Sequence, residues 1–460
     1  MMETREQIVE QSVELKKELR LFDLVLAQIL IVIGVNWIGT AAKLGTAGIL
    51  LWTFGIIFYF LPLTCVIIYL SKRQPLEGGL YQWAKFSFNE FTGFLTAWNG
   101  WLFIMFFMSL LGLNISTGMA YALGENYAAL SENKIFIAAV SAGVSILLTA
   151  LAFLGLEIGK WFHNFGAIIL FLVFGSLILF PVFYGRFENL PPFSMPELSI
   201  LNLNLLIKTS VFSLSGFEAM AVLAGESRNA KRNLWLSVAI AAPVIALLYI
   251  AGTFSALFFV SPNEVDLVNP VAQVLQKAGF AKSLGFAVVA GLIFLLFTRD
   301  LAQSAQGFAA NSRLPMVAGW DNILPKWFTK LHKTRKTPVN AILFAGVFTF
   351  TLSLLSLVGV QKQESFQLLQ SVAGILFAIT YLVLFSIPLF GKNNENKPPV
   401  WLKIISAIGL FVVIAFMFLS VFPIVEVENP FIFGLKVSGA VVLVNAVGIA
   451  IYFLSRQKPN

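Results

Sequence analysis

Twelve stretches of about 20 or more largely apolar residues recur along this 460-residue chain, at roughly 22–43, 46–70, 91–123, 134–154, 163–184, 203–226, 233–260, 283–311, 338–360, 367–390, 400–425 and 432–454. A helix of about 20 residues crosses about 30 Å of hydrocarbon. In lipid every backbone N–H and C=O must find a partner within the protein, which restricts spanning segments to helices and closed barrels. Barrel strands need only about 9–11 residues, so stretches of this length select helices. The sequence predicts an all-α integral membrane fold with 12 transmembrane helices.

Composition agrees with that reading. At 58% hydrophobic and 12% charged residues the chain is far more apolar than a soluble globular protein. With the N-terminus placed inside, about 22 of the 31 Lys and Arg fall on the cytoplasmic side and about 8 outside, and Arg299 is left within a span. This bias predicts both termini in the cytoplasm and supports an even number of spans. The net charge of +8 resides in short loops with no basic stripe interleaved with aromatics, which argues against a nucleic-acid partner. The lone Cys65 excludes a disulfide framework, and His163 and His332 stand at span edges without metal-ligand spacing, so no metal and no cofactor are expected. Residues 1–21 read as a short amphipathic cytoplasmic segment rather than a signal peptide, and Asp23 as a cap opening the first span. No phosphate-binding loop of the G-x-x-x-x-G-K-[ST] type is present, and neither clustered interfacial acids nor a soluble signalling domain points to an enzyme or a sensor.

Two spans are interrupted. The first contains Gly34, Asn36, Trp37, Gly39 and Thr40, small and polar residues suited to an unwound helix; the alternative for the glycines is a close helix–helix contact. The sixth contains Phe212, Ser213, Ser215 and Gly216, followed at once by Glu218. Interruptions at corresponding positions of two halves point to a solute site near the bilayer midplane. Half-helix N-termini there favour an anionic group and exposed carbonyls a cation, and a free amino acid carries both. Glu218 is a candidate for coupling, with a helix-capping acid as the alternative. Arg299 and Asp300 lie halfway through the eighth span. Adjacent helical side chains diverge by about 100°, so the pair is not expected to face each other directly. Arg299 shares a face with Gln303, and an arginine keeps its proton. It reads as a fixed cation, as part of a structural pair with another helix, or as a receptor for an acidic substrate.

Three segments carry a family resemblance. Gly216-Phe217-Glu218 with the basic loop after it, Pro75-Leu76-Glu77-Gly78-Gly79-Leu80-Tyr81, and Ser312-Arg313 followed by Asp321-Asn322-Ile323-Leu324-Pro325 and Thr337-Pro338-Val339-Asn340-Ala341 resemble motifs of the amino acid–polyamine–organocation superfamily. Gly39-Thr40-Ala41 departs from that family's G-x-G, and Asn322 from its usual glycine. The resemblance implies a LeuT-type fold of two inverted five-helix repeats, over 22–200 and 201–390, with broken helices 1 and 6 and two further helices and a tail over 391–460. It implies that Phe212 closes over the solute and that Asn99, Phe103, Ile104 and Met108 line the pocket. It further implies that Glu218 senses protons and that helix eight faces a sodium position, which Arg299 would fill. The function expected is secondary, sodium-independent transport of amino acids across the plasma (inner) membrane by proton-coupled symport or exchange. A polyamine or organic-cation carrier, or an amino acid/amine antiporter, is the alternative. The partners expected are a small-molecule substrate and the lipid bilayer.

Overall fold

The computed structural model describes residues 20–73, 80–154, 156–184, 195–216, 229–281, 286–317, 337–392 and 397–456, with a few isolated positions between them. Their regular elements are helices, with no β-sheet among the described residues. The first apolar stretch divides into α1 (Leu21–Val32) and α2 (Asn36–Ala42). The second is α3 (Gly48–Gly55) and α4 (Leu61–Arg73), joined without interruption by a π-helical turn at Ile56–Phe60. Then come α5 (Leu80–Ser87), α6 (Glu90–Leu123), α7 (Lys134–Leu154), α8 (Leu156–Tyr184) and α9 (Ile200–Ser213). The remainder comprises α10 (Ala230–Leu257), α11 (Pro270–Ala281), α12 (Phe286–Val317), α13 (Val339–Ser356), α14 (Lys362–Phe390), α15 (Val400–Leu419) and α16 (Pro430–Arg456).

Among the described residues ten helices are long and apolar enough to cross a membrane, and the pair α1–α2 makes an eleventh if its bend lies within one span. The sixth expected stretch is represented by α9 alone, because residues 217–226 lie outside the described residues. Local chemistry sets the helix starts. Asn89 caps α6 by accepting from the Thr92 N–H at 2.8 Å, and Ser199 caps α9 by accepting from Asn202 at 3.1 Å. Asp23 sits one turn inside α1 rather than at its cap, and its carboxylate reaches back to the Arg20 N–H at 2.9 Å.

Lipid is as apolar as leucine, so helices associate there through tight packing and buried polar contacts rather than through the hydrophobic effect. Small residues supply the close approaches. A Cβ built on Gly112 of α6 would lie 2.1 Å from the Ser141 hydroxyl of α7, and one on Gly409 of α15 would lie 2.3 Å from Phe385 of α14. The most apolar window of α6 is 83% buried and that of α16 only 17%, which places α6 at the centre and α16 at the lipid-facing edge. Asn99 and Asn445 tie the two helices through reciprocal amide hydrogen bonds of 2.8 and 3.1 Å.

The long loop before α12 carries the short helix expected from Pro270, here α11. Asp266 anchors it: its carboxylate accepts from the Tyr121 hydroxyl at 2.6 Å, the Val268 N–H at 2.7 Å and the Lys362 ammonium at 3.2 Å. Lys362 also lies 3.1 Å from Glu132. The loop is thereby fixed to α6 and α14, and Pro270 is set against α2.

Candidate functional site

The axes of α1 and α2 differ by 54° across a break at residues 33–35. Breaking a helix frees its last carbonyls and the first N–H groups beyond, and each needs a new partner in a dry interior. The carbonyls of four consecutive residues find one. Leu30 accepts from the Arg299 guanidinium at 3.2 Å, Ile31 from the Gln303 amide at 2.9 Å and Val32 from the Tyr249 hydroxyl at 2.8 Å; Ile33 accepts from Arg299 as well. The Gly34 N–H donates to the Tyr249 oxygen at 3.0 Å. Two residues of α12 and one of α10 therefore hold the open end of α1.

The end of α9 meets the same tyrosine. The Ser213 carbonyl lies 3.2 Å from the Tyr249 hydroxyl. The Ser215 hydroxyl bonds the Val211 carbonyl at 2.5 Å and stands 2.7 Å from the Tyr59 hydroxyl. Gly216 has φ +116°, a backbone conformation open to glycine and strained for other residues, and its N–H donates to the Tyr381 hydroxyl at 3.2 Å. A Cβ built there would lie 3.1 Å from Ile31, so the two helix ends touch. Gly34, Ser213, Ser215 and Gly216 thus come together, at the bend of the first helix and at the end of α9. Glu218 lies outside the described residues.

Arg299 and Asp300 pair directly, guanidinium to carboxylate at 2.6 Å, and both are buried. The helical angle between adjacent residues predicts otherwise. The arginine stem is long enough to curl its head across that angle, and the carboxylate neutralises it in place. The guanidinium consequently touches one carboxylate and two main-chain oxygens of the open end of α1.

Aromatic side chains lie beside the break. The Phe212 ring centroid stands 4.9 Å from Trp37, 6.0 Å from Phe103, 6.1 Å from Phe107 and 6.4 Å from Phe377. Phe103 and Phe377 stack at 4.0 Å. Trp37 leans back over Gly34, where an added Cβ would meet its ring at 2.7 Å. Other expected residues make different contacts. Gly39 and Thr40 are helical within α2; Thr40 donates to the Asn36 carbonyl at 3.2 Å, and a Cβ on Gly39 would lie 2.5 Å from Pro270. Gly39 therefore serves the close contact that stood as its alternative. Met108 faces Gly307 of α12, and Asn99 turns to α16 rather than to the aromatic group.

Tyr249, Tyr381, Tyr59, Phe377 and Lys208 are not among the residues expected from sequence. Lys208, counted among the outer charges although it falls within the stretch 203–226, is fully buried in α9. Its signal is present, as one cation in a polar patch with Asn202, Asn204, Thr209 and Ser210 inside an apolar stretch. The tyrosines carry no such signal, because an isolated tyrosine in an apolar helix is ordinary.

A family model described as amino acid permease matches residues 19–449. The chain is similar to an uncharacterised transporter of Legionella pneumophila, with 22% identity over 451 residues covering 93% of this chain and 95% of the relative. It is similar to a probable agmatine/putrescine antiporter of Lactococcus lactis, at 23% identity covering 83% and 81% of the two chains. A branched-chain amino acid permease of Bacillus subtilis shares 26% identity over 74% of this chain and 75% of its own. With many apolar helices, a bent first span and a match over nearly its whole length, this multi-pass membrane protein belongs to the amino acid permease family of the amino acid–polyamine–organocation superfamily.

Proposed function

We propose that the protein is a secondary transporter of amino acids or amines, working in the plasma (inner) membrane by alternating access around the break in α1–α2 and the end of α9. The chain then has twelve spans, with both termini cytoplasmic. Two inverted repeats occupy 22–200 and 201–390, and residues 391–460 hold the last two helices and the tail. Two of the relatives are named for agmatine and putrescine and for branched-chain amino acids, and this supports the substrate range.

The observation that carries the proposal is the set of main-chain groups at the break, held by side chains of helices remote in sequence. Such an arrangement can exchange its partners when helices move, whereas a continuous helix has nothing to exchange. The carbonyl end of a half-helix attracts a cation. Here the Arg299 guanidinium already donates to the Leu30 and Ile33 carbonyls and cannot lose its proton. Transport is accordingly sodium-independent, with proton-coupled symport or exchange as the mode and Glu218 as the candidate coupling group. The test is uptake of labelled amino acids and amines by protein in liposomes, compared in sodium and in choline buffer. Equal uptake is expected; loss of uptake in choline would overturn the role given to Arg299.

A further inference from the structure

Five Asp, Lys and Arg side chains are buried among the described residues: Lys208, Asp266, Arg299, Asp300 and Lys362. Four of them form two ion pairs, Arg299 with Asp300 and Lys362 with Asp266. Lys208 is fully buried and has neutral partners, Gln367 Oε1 at 3.3 Å and Ser371 Oγ at 2.7 Å, both on α14. The Gln367 amide nitrogen donates to Gln370 Oε1 at 3.1 Å, which keeps the Gln367 oxygen turned to the lysine. An ammonium has three donors, and these contacts use two. A buried charge persists when an opposite charge accompanies it. Among the described residues no carboxylate accompanies Lys208.

Its position suggests what would. Lys208 and Phe212 are four residues apart on α9 and so share a face. Across from them on α14 stand, in the same order, Gln367 and Ser371, then Gly374 and Phe377, against which the Phe212 ring lies. Lys208 is therefore one helical turn from the aromatic group, on the side away from Gly216. Arg299 is engaged by Asp300 and main-chain oxygens, which leaves Lys208, among the described residues, as the buried cation without a counter-charge.

We infer that Lys208, with Gln367 and Ser371, is the recognition point for a carboxylate on the transported solute, so that the substrates are amino acids rather than polyamines. The inference rests on the transport reading and narrows it. A substrate carboxylate takes the third ammonium donor and supplies the missing negative charge, whereas a diamine brings positive charge against positive charge.

Pairs of ligands that differ by the carboxylate alone test this: arginine and agmatine, ornithine and putrescine, leucine and isopentylamine. Thermal unfolding of the purified full-length protein is followed with each, for wild type, Lys208→Gln, Lys208→Arg and Ser371→Ala. In wild type the amino acid of at least one pair should stabilise at a concentration about tenfold or more below that of its amine. Lys208→Gln should erase this preference, Ser371→Ala should reduce it and Lys208→Arg should retain most of it. An amine that stabilises wild type as well as its amino acid overturns the inference, and so does a preference that survives Lys208→Gln. Should Lys208→Gln fail to fold, a preference left unchanged by Ser371→Ala and lost in Lys208→Arg overturns it. If no member of any pair acts on wild type, the transport reading is what fails. The recognition point is then judged with butyrate alone, and equal protection of wild type and Lys208→Gln overturns it.

Discussion

Arg299 brings a permanent charge to the open end of α1, and its surroundings set the cost of removing it. Arg299→Met strands the Asp300 carboxylate in the interior together with two unpaired carbonyls. The loss expected is about 3–5 kcal/mol, read as a lower melting temperature of the purified protein. Adding Asp300→Asn should recover part of it, since the second change removes the stranded charge. Tyr249→Phe keeps the ring stacked 4.4 Å from Trp52 and deletes only the hydroxyl that serves Gly34, Val32 and Ser213. A cost of about 1–3 kcal/mol is expected, with a larger fractional loss of uptake than of ligand binding. Sequence exposes these two residues unequally. A charged pair inside an apolar stretch is conspicuous, although its direct contact escapes the angular rule, which treats side chains as short. Tyr249 meets its partners across 215 and 217 residues of chain, and no local pattern records that.

Within single elements, glycine has two separate uses. Gly216 at φ +116° supplies a conformation that other residues resist, and Gly216→Ala is expected to cost about 1–3 kcal/mol and to depress uptake. Gly39 is an ordinary helical residue whose missing side chain admits Pro270. Gly39→Val should force α2 and α11 apart, with a loss of about 1–3 kcal/mol in thermal unfolding and faster proteolysis of the loop at 261–281. The interruption of the first span is legible from Gly34 and Asn36. Its extent is not, because a small residue marks unwinding and close contact alike, and the element that decides between them at Gly39 is remote. The end of α9 is legible from Ser213, Ser215 and Gly216 for a firmer reason: polar side chains and a glycine occur together within one turn.

Across the whole molecule, the apolar stretches dictate the helical architecture because lipid leaves the chain few alternatives, whereas the contacts between helices rest on residues far apart in sequence. Lys362 and Asp266 show this, reading as loop charges and folding as a buried pair that closes the loop before α12 onto α6 and α14. Asp266→Asn leaves Lys362 with Glu132 alone and should increase hydrogen exchange across 261–281, with a stability loss of about 1–3 kcal/mol. The phenol of Tyr249 has a wider consequence. It owns a single hydrogen, and two carbonyls, one at the end of α1 and one at the end of α9, stand within its reach at 2.8 and 3.2 Å. Both cannot hold that hydrogen at once. At any moment the hydroxyl serves the end of α1 or the end of α9, so one hydrogen passing from one oxygen to the other ties the state of either helix end to that of its neighbour.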